Sequence, residues 1–364
     1  MKICYIGDGE SVHNHFMIDW FVKNGHDVAF LTDTPVEGIH CPVHQVAPKE
    51  RNGAWRHWRA SRRVKKFIKQ WKPDIVHAHN VTGYGYWGAL SGFHPFVLTA
   101  WGSDLMIEIH RNALVREMVR YSLRKADFIT ADAKSLSEIA ADLARNNADV
   151  RELQWGVRLK EFDRELDPQV CANYRQDAQY VFVSNRRLRP IYNIDVIVRA
   201  FARALPQMRG SRLIVIGDDE MSDDMRRLAE HVCAAEFITF TGWLDRKDMI
   251  DALLSSDCYI SVPSSDSTPV SLLEAFAARL PVVVTDLPAM HEWVMQGDNG
   301  MIVRPNHEAQ LTQAMIRAFK NPKACKQWGQ TNRKVVEERG NRNQEMKKLL
   351  GWYQEAIENR KTKR

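Results

Sequence analysis

The sequence lacks any long apolar run. Of its 364 residues, 45% are apolar and 26% are charged, and no segment approaches the roughly 18 consecutive apolar residues that a membrane-spanning helix needs. The pattern of residues 1–7 predicts a buried strand. It leaves no room for the charged region and apolar segment of a secretory signal, so we expect a cytoplasmic protein. A chain of this length can form two domains, each with its own core.

Paired cysteines are also missing. The sequence has six cysteines and no Cys-x-x-Cys spacing, which disfavours both a disulfide framework and a zinc site. We expect the cysteines to be small core residues instead. They are Cys4, Cys41, Cys171, Cys233, Cys258 and Cys325.

Two ligand-binding motifs are absent as well. No Asp-x-Asp triplet occurs, so a metal-bound diphosphate has no obvious carboxylate ligands. The loop at residues 7–13 contains Gly7 and Gly9, which would let the backbone approach a ligand closely, but Val12 stands where a dinucleotide fingerprint needs a third glycine. We therefore expect neither a metal nor a cofactor, and a nicotinamide or flavin enzyme is disfavoured.

Short apolar runs alternate with helical stretches, which predicts an α/β fold of parallel sheets covered by helices. One series of predicted strands lies at residues 3–6, 27–32, 74–77, 96–99 and 128–131. A second series lies at residues 180–184, 213–217, 237–240, 258–262 and 281–285. We predict two Rossmann-like domains, residues 1–163 with the linker and residues 164–340, followed by a terminal segment at 341–364.

Two carboxylates, Asp266 and Glu274, lie where turn residues lead into an apolar helix. Thr268 reads as the N-cap and Pro269 as the first helical residue, because proline has a suitable φ and no N–H to leave unpaired. The free N–H groups and the dipole of this helix end favour an anion such as the diphosphate of a sugar nucleotide. An alternative is a capping box formed by Ser271 and Glu274, in which Glu274 only closes its own helix end.

Residues 264–300 resemble the signature of retaining glycosyltransferase family 4. In this family a loop carboxylate and a Glu precede an apolar strand and a second acidic site, here residues 291–300. The resemblance implies the GT-B fold, two Rossmann-like domains facing across a cleft, with the final helix crossing back to the first domain. It also implies that Glu274 binds the ribose of the donor and that Asp266 contacts the transferred sugar. Because the usual first acid is Glu and Asp266 is one methylene shorter, that contact is expected to be more distant or water-bridged.

The resemblance covers nearly the whole chain. Residues 73–79 are similar to a family strand that ends in H-x-H, although His77 and His79 equally fit histidines that only satisfy local hydrogen bonds. Residues 99–104 are similar to a T-x-H-G-x-D loop, with Trp101 in place of the His near the donor sugar. The predicted residues on the acceptor and sugar side are Ser11, His13, Trp101 and Asp104.

An arginine-rich segment at residues 183–193 opens the second domain. It is similar to the family loop G-R-L-x-P-x-K-G, in which Arg and Lys clamp the diphosphate. Tyr192 stands at the lysine position, so neutralisation of the phosphate falls to arginine, whose planar fork can bind two oxygens at once. Alignment favours Arg187, with Arg186 second, and a solvated basic loop is the alternative. The predicted catalytic residues are Asp266, Glu274 and Arg187, and the predicted donor-binding residues are Arg186, Ser267, Thr268, Pro269, Val270, Ser271, Gly7, Gly9 and Trp243.

The basic stretch at residues 51–72 contains nine Lys and Arg residues and no acidic residue. Helical projection places Ala60, Val64, Phe67, Ile68 and Trp71 on one face, toward the sheet. The other face carries two tryptophans among cations, which would suit an anionic membrane surface. A solvated face, or a helix that begins only after the tryptophans, is the alternative, and no recognised nucleic-acid fold accompanies the patch. The predicted membrane face consists of Trp55, Trp58, Arg62, Lys66 and Lys69.

These features predict a cytoplasmic, membrane-peripheral hexosyltransferase that uses a nucleotide sugar, UDP- or GDP-linked. The acceptor is expected to be a glycan or a lipid-linked molecule of bacterial polysaccharide or lipopolysaccharide assembly. The resemblance implies front-face transfer with retention, in which the leaving phosphate helps to remove the acceptor proton and neither carboxylate acts as nucleophile or general base. A sugar-nucleotide epimerase or hydrolase of the same fold, or a catalytically silent protein that binds nucleotide or glycan, stays open.

Overall fold

The computed structural model describes residues 1–47, 54–145 and 148–362. The chain divides into two compact units, one formed by Met1–Trp155 with Asn343–Arg364 and the other by Gly156–Arg342. Each unit contains one parallel β-sheet with helices between its strands, which confirms the predicted α/β class.

The first unit has seven described strands, of which the central ones are buried over most of their length. The strands are β1 (Lys2–Ile6), β2 (Asp27–Thr32), β3 (Val43–Gln45), β4 (Ile75–His79), β5 (Phe96–Thr99), β6 (Phe128–Ala131) and β7 (Val150–Glu152). The helices between them are α1 (Val12–Lys23), α2 (Ala54–Trp71), α3 (Gly83–Ser91), α4 (Ser103–Met106), α5 (Ala113–Lys125) and α6 (Lys134–Ala144). The sheet order is β3-β2-β1-β4-β5-β6-β7, so the strand order reverses between β1 and β4.

The second unit repeats this arrangement. Its described strands are β8 (Tyr180–Ser184), β9 (Ser211–Ile216), β10 (Ile238–Gly242), β11 (Cys258–Ser261), β12 (Val282–Thr285) and β13 (Gly300–Val303). Its helices are α7 (Pro168–Arg175), α8 (Ile194–Ala204), α9 (Ser222–His231), α10 (Arg246–Leu254), α11 (Val270–Ala277), α12 (Pro288–His291), α13 (Glu308–Lys320) and α14 (Pro322–Arg339). The sheet order is β10-β9-β8-β11-β12-β13, and the order reverses between β8 and β11.

The final helix, α15 (Arg342–Thr362), packs on the first sheet. Met346, Leu349 and Tyr353 are buried with Ile3 of β1 and its neighbours. The Tyr353 hydroxyl lies 2.9 Å from the hydroxyl of Tyr5. The end of the chain therefore completes the core of the unit that its beginning forms.

All ten predicted strands are present, with bounds that differ by two residues at most. The prediction missed β3, β7 and β13, which are edge strands of the two sheets. Two of these, β3 and β7, are short and partly exposed, so they carry little of the apolar pattern that identifies a buried strand.

The domain boundary differs from the predicted one. Residues 156–163, assigned to the first domain, belong to the second unit. The Val157 N–H donates to the Gly340 carbonyl at 2.8 Å, and the Arg342 N–H donates to the Val157 carbonyl at 3.1 Å. These backbone bonds attach the linker to the end of α14, which no local sequence pattern indicates.

The helices and the cysteines bear on the expectations drawn from composition. Within the described ranges, no helix is long and apolar enough to cross a membrane. Cys4, Cys258 and Cys325 are buried as expected, whereas Cys41 and Cys171 are only partly buried and Cys233 is exposed. Cys233 follows the end of α9 with a φ of 53°, in a turn that lies outside the core.

Candidate active site

Most of the predicted donor residues gather at the carboxyl edge of the second sheet, whereas Gly7 and Gly9 lie in the first unit. The segment after β8 and the segment after β11 lie side by side, because these strands are the neighbours between which the strand order reverses. In doubly wound sheets, ligands bind in the crevice that opens at this position. Arg186 follows β8, and Asp266 lies in the loop between β11 and α11.

Arg186 and Asp266 form a buried ion pair. The Arg186 Nη2 atom lies 2.6 Å from Asp266 Oδ2, and Nη1 donates to the Ser271 hydroxyl at 2.8 Å. Burial raises the pKa of Asp266 above its ordinary value, and the guanidinium opposes this rise. The Tyr192 ring lies 4.3 Å from the Arg186 guanidinium carbon, so the residue at the lysine position of the family loop packs against the arginine.

Arg187 has a different environment from its neighbour. Its side chain is 47% exposed, and its Nε atom donates to Asp219 at 2.7 Å. The Trp243 ring, 64% exposed, lies 5.8 Å from the Arg187 guanidinium carbon. Arg186, and not Arg187, is therefore the arginine that contacts Asp266, which makes Arg186 the stronger candidate for the diphosphate contact predicted for Arg187.

Glu274 is held by two residues that the sequence did not indicate. Its carboxylate accepts from Asn185 Nδ2 at 3.0 Å and from Arg246 Nη1 at 2.6 Å. Arg246 also donates through Nε to Glu161 at 2.7 Å. Asn185 precedes Arg186, but Arg246 is separated from Glu274 by a whole strand and loop, so no spacing rule could have found it.

The start of α11 differs by one residue from the prediction. The helix begins at Val270, and Pro269 is its N-cap, with φ −74° and ψ 132°. Thr268 does not cap the helix, because its hydroxyl accepts the Trp293 indole N–H at 3.0 Å. Ser267 is buried beside Asp266, whose Oδ1 atom accepts the Ser267 N–H at 3.1 Å.

The capping-box alternative for Glu274 is not supported. Ser271 lies inside α11 instead of at its N-cap, and its hydroxyl accepts from Arg186. Glu274 contacts side chains from the loop after β8 and from α10. Both residues of the presumed box therefore face the crevice.

The two glycines of the first unit serve close contacts within the protein. A Cβ atom on Gly9 would lie 1.8 Å from the Thr34 carbonyl oxygen, and one on Gly7 would lie 2.7 Å from Asn14 Nδ2. The Gly9 N–H donates to Thr32 Oγ1 at 3.0 Å. These contacts explain why both positions are glycine without a ligand that approaches the backbone.

An aromatic cluster lies where the strand order of the first sheet reverses. The ring of Trp155 lies 5.1 Å from His13, 5.5 Å from Trp101 and 5.6 Å from His79, measured between centroids. Among the described residues, neither ring nitrogen of His79 has a hydrogen-bond partner, and the same holds for Trp101 Nε1 and the Ser11 hydroxyl. The cluster thus offers buried polar atoms that a hydroxyl-bearing ligand could satisfy.

The two histidines of β4 differ in their hydrogen bonds. His77 Nε2 lies 2.6 Å from Thr99 Oγ1, and Nδ1 bonds to the Tyr353 hydroxyl, so the local explanation is correct for His77. His79 is only 1% exposed. Its burial, with a smaller contribution from His13, lowers the pKa of His79 to about 3. The imidazole of His79 is therefore neutral at physiological pH.

Asp104 organises the loop that carries Trp101. It is fully buried, and its carboxylate accepts the N–H groups of Val81, Trp101 and Leu105 at 2.8, 3.1 and 3.0 Å. Burial raises the pKa of Asp104 to about 6. Asp104, predicted on the sugar side, therefore supports the loop, because its oxygens accept hydrogen bonds from the backbone.

Helix α2 presents the predicted aromatic and basic face. It begins at Ala54, so the alternative that it starts after Trp58 is wrong. Trp55 and Trp58 are 57% and 48% exposed, and their rings stack at 4.7 Å. Ala60, Val64 and Ile68 are buried as predicted, whereas Phe67 and Trp71 are only partly buried. Arg51 lies outside the described residues.

In residues 1–47, 54–145 and 148–362, no group of three or more His, Cys, Asp and Glu residues is arranged to hold a metal ion. The cations that face Asp266 and Glu274 are Arg186 and Arg246.

The fold agrees with that of known GT-B glycosyltransferases. The HepE protein of Anabaena, solved in complex with UDP, superimposes with a TM-score of 0.83 at 15% sequence identity, over 98% of this chain and 100% of that chain. The model for glycosyl transferases group 1 matches residues 170–335, and the glycosyl transferase 4-like model matches residues 2–133. Together the two models cover most of the chain, which therefore belongs to the glycosyltransferase family that they describe.

Two curated relatives match most of the chain. The alpha-monoglucosyldiacylglycerol synthase of Streptococcus pneumoniae is 24% identical over 321 residues, which are 82% of this chain and 72% of that protein. The N-acetyl-alpha-D-glucosaminyl L-malate synthase of Bacillus anthracis is 20% identical over 271 residues, 73% of this chain and 70% of that protein.

Proposed function

We propose that this glycosyltransferase moves a hexose, with retention, from a nucleoside-diphosphate sugar to a glycan or lipid-linked acceptor of bacterial polysaccharide or lipopolysaccharide assembly. The observation that carries the proposal is the grouping of Arg186, Asp266, Ser271 and Glu274 at the carboxyl edge of the second sheet. HepE was solved with UDP and with UDP-glucose, which supports a uridine nucleotide as the first donor to test.

Each of these side chains has a part in donor binding. The Arg186 guanidinium has five N–H donors, so it can bind diphosphate oxygens while it keeps its contact with Asp266. The N–H groups at the start of α11 add to the positive potential. Glu274 accepts the ribose hydroxyls, and Asn185 and Arg246 fix its orientation. Asp266 contacts the transferred sugar, directly or through water.

The chemistry needs no covalent nucleophile. The bond between the anomeric carbon and the diphosphate oxygen breaks, and the acceptor oxygen bonds to the same face of that carbon. The acceptor proton passes to the departing diphosphate, whose charge Arg186 stabilises. The protein contributes positioning and preorganised electrostatics. We expect turnover to persist in EDTA, since the sequence has no Asp-x-Asp triplet to hold a metal on the diphosphate.

A catalytically silent binding protein is the second candidate. The observation that favours it is Tyr192, which leaves one cation fewer beside the diphosphate than the family loop provides. An epimerase or hydrolase would instead form product from the donor alone. Incubation of each donor with and without lipid-linked glycan acceptors, followed by mass spectrometry, distinguishes the three.

We also propose that the enzyme works at the cytoplasmic surface of an anionic membrane. The exposed tryptophan pair of α2 lies among cations, with the Arg59 guanidinium 5.7 Å from the Trp55 ring and that of Arg62 4.7 Å from the Trp58 ring. The name of the Streptococcus pneumoniae relative refers to a glycosylated diacylglycerol, which supports a lipid acceptor. Sedimentation with anionic vesicles should fall steeply as salt rises.

The substitution Glu274→Gln tests the donor site. It should weaken binding of a nucleoside diphosphate by about 1.5–3 kcal/mol, the range for a hydrogen bond to a charged group. Calorimetric titration with UDP and GDP measures the affinity, and a melting curve shows whether the variant is folded. Glu236→Gln, an exposed glutamate in the same unit, is the matched control. A variant that loses stability yet keeps its nucleotide affinity would assign Glu274 a structural role only.

A further inference from the structure

A pocket of about 580 Å³ lies in the first unit. It is bounded by the end of α2, the segments that lead into β4 and β5, and the end of α15. These segments precede their strands, so the pocket lies at the amino edge of the sheet, whereas the aromatic cluster lies at the carboxyl edge. Its volume is within the range of small-molecule sites.

The polar lining of this pocket is strongly basic. Lys65 and Lys69 come from α2, Lys72 follows that helix, and Lys361 comes from α15. In the part of the chain that the structure describes, these four lysines form no ion pair with a carboxylate. The acidic member of the lining, Asp74, accepts the Lys2 backbone N–H at 2.7 Å.

Lys72 adopts a backbone conformation that favours glycine. Its φ is 54°, at the end of a helix where glycine is the usual residue. Its N–H donates to the Ile68 carbonyl at 2.9 Å. The strained position thus carries a cation into the pocket, although a glycine there would cost less.

Part of the pocket lining is apolar. The apolar side chains are those of Ile68, Pro73, Phe93 and Ile357. The Arg360 guanidinium carbon lies 4.7 Å from the Phe93 ring centroid. A ligand that fits this combination has an anionic group beside an apolar portion, which inorganic phosphate lacks.

The pocket is continuous with the tryptophan face of α2. Residues seven apart on a helix return to within about 20° of the same direction. Within the helix, Trp58 and Lys65 follow this spacing, and so do Trp55, Arg62 and Lys69. Two parallel rows therefore connect the exposed tryptophans to the pocket lysines along a helix ~27 Å long.

We propose that this pocket binds the phosphate headgroup of an anionic phospholipid, with the lysines on the phosphate and the apolar wall against the glycerol and the first acyl carbons. This extends the membrane association proposed above and is independent of the transfer reaction. The tryptophan pair would hold the helix at the headgroup level, and the pocket would select lipids that carry net negative charge.

The test uses short-chain lipids below their critical micelle concentration, so that binding to a site is separated from adsorption to a surface. Dihexanoyl phosphatidylglycerol should bind the full-length protein saturably in a calorimetric titration. The triple variant Lys65→Gln, Lys72→Gln, Lys361→Gln should bind at least about tenfold more weakly, given the contribution of each lysine near an anionic headgroup. The control Lys323→Gln, Lys326→Gln, Lys334→Gln removes the same charge from exposed positions of α14 and should bind as the wild type does.

Further arms identify the source of the affinity. Equal binding of dihexanoyl phosphatidylcholine, or of inorganic phosphate, would overturn the proposal, the first because charge is not selected and the second because the apolar wall contributes nothing. Unchanged phosphatidylglycerol binding in the pocket variant would overturn it as well and leave the lysines as cations at helix ends. Trp55→Ala with Trp58→Ala should reduce vesicle sedimentation while short-chain lipid binding persists. UDP titration of every variant reports separately on the donor site.

Discussion

Two neighbouring arginines after β8 have opposite environments. Arg186 is buried against Asp266 and Ser271, whereas Arg187 points to Asp219 at the surface. Successive side chains of an extended backbone point to opposite sides, so only one of the pair can face the crevice. Leu188 is buried in the core. Because Arg187 is its neighbour in this extended segment, the Arg187 side chain points to the opposite side, toward solvent.

The two arginines therefore predict a contrast in nucleotide binding. Arg186→Gln should weaken UDP or GDP binding by about 1.5–3 kcal/mol, with a much smaller effect on the nucleoside, because it removes a charged contact to phosphate. Arg187→Gln should change either affinity by no more than about 0.5 kcal/mol, as expected for a surface substitution. Parallel calorimetric titrations measure both. A larger loss in the Arg187 variant would return the diphosphate contact to that residue.

His79 predicts a pH dependence of stability. Its folded pKa of about 3 lies below the ordinary 6.5, so between these values the unfolded chain binds a proton that the folded chain does not. The contribution of the neutral imidazole to the free energy of unfolding is fully present above pH 6.5 and is lost as the pH falls toward 3. From pH 6.5 to 5 the wild type should lose about 2 kcal/mol relative to His79→Gln. Chemical denaturation across this range measures the difference, and curves that stay parallel would contradict it.

At the scale of elements, the loop between β1 and α1 is shaped by close backbone contact. Gly9 allows the Thr34 carbonyl to lie where any side chain would begin. This contact brings the ends of β1 and β2 together beside Ser11 and the aromatic cluster. The glycine pattern that suggested a ligand loop thus has a cause within the protein.

Gly9→Ala should destabilise the fold by about 1–3 kcal/mol, because the new methyl group forces the backbone to move. Gly351→Ala is the matched control, and it should change the free energy of unfolding in the opposite direction. Gly351 lies inside α15 with no atom within 4 Å of an added Cβ, so alanine should stabilise the helix by about 0.5–1 kcal/mol. Urea denaturation of both variants gives the two free energies. A neutral Gly9→Ala would show that the loop relaxes without cost.

On the scale of the whole molecule, the final helix belongs to the unit formed by the start of the chain. Leu349 and Tyr353 are fully buried with Ile3 and Tyr5. Each unit has its own core and its own sheet. Their stabilities can therefore be changed separately.

Leu349→Ala should destabilise the first unit by about 2–5 kcal/mol, the range for a buried leucine. UDP should raise the unfolding temperature of the second unit equally in the variant and in the wild type, since a ligand stabilises the fold that binds it. Scanning calorimetry with and without UDP resolves the two effects, and Gln354→Ala on the exposed side of the same helix is the control. Loss of UDP binding in the folded Leu349 variant would contradict this independence.

The sequence alone indicated the strands whose apolar runs are buried on both faces, because burial imposes a pattern that neighbouring residues share. It also indicated Asp266 and Glu274, since turn residues, proline and a helix start occur together in one segment, and the family resemblance gave them roles. The basic face of α2 was predictable for the same reason, as its period lies within a single helix.

Tertiary structure decided the contacts between distant segments. Arg246 contacts Glu274 from another helix. The ring of Trp155 lies beside that of His13, although most of the sequence of the first unit separates the two residues. Lys361 and Lys72 line the same pocket. Edge strands β3 and β7 depend on pairing with a neighbour more than on their own residues. Local patterns report the environment that adjacent residues share, whereas the position of one side chain against another far along the chain is set only when the sheets assemble.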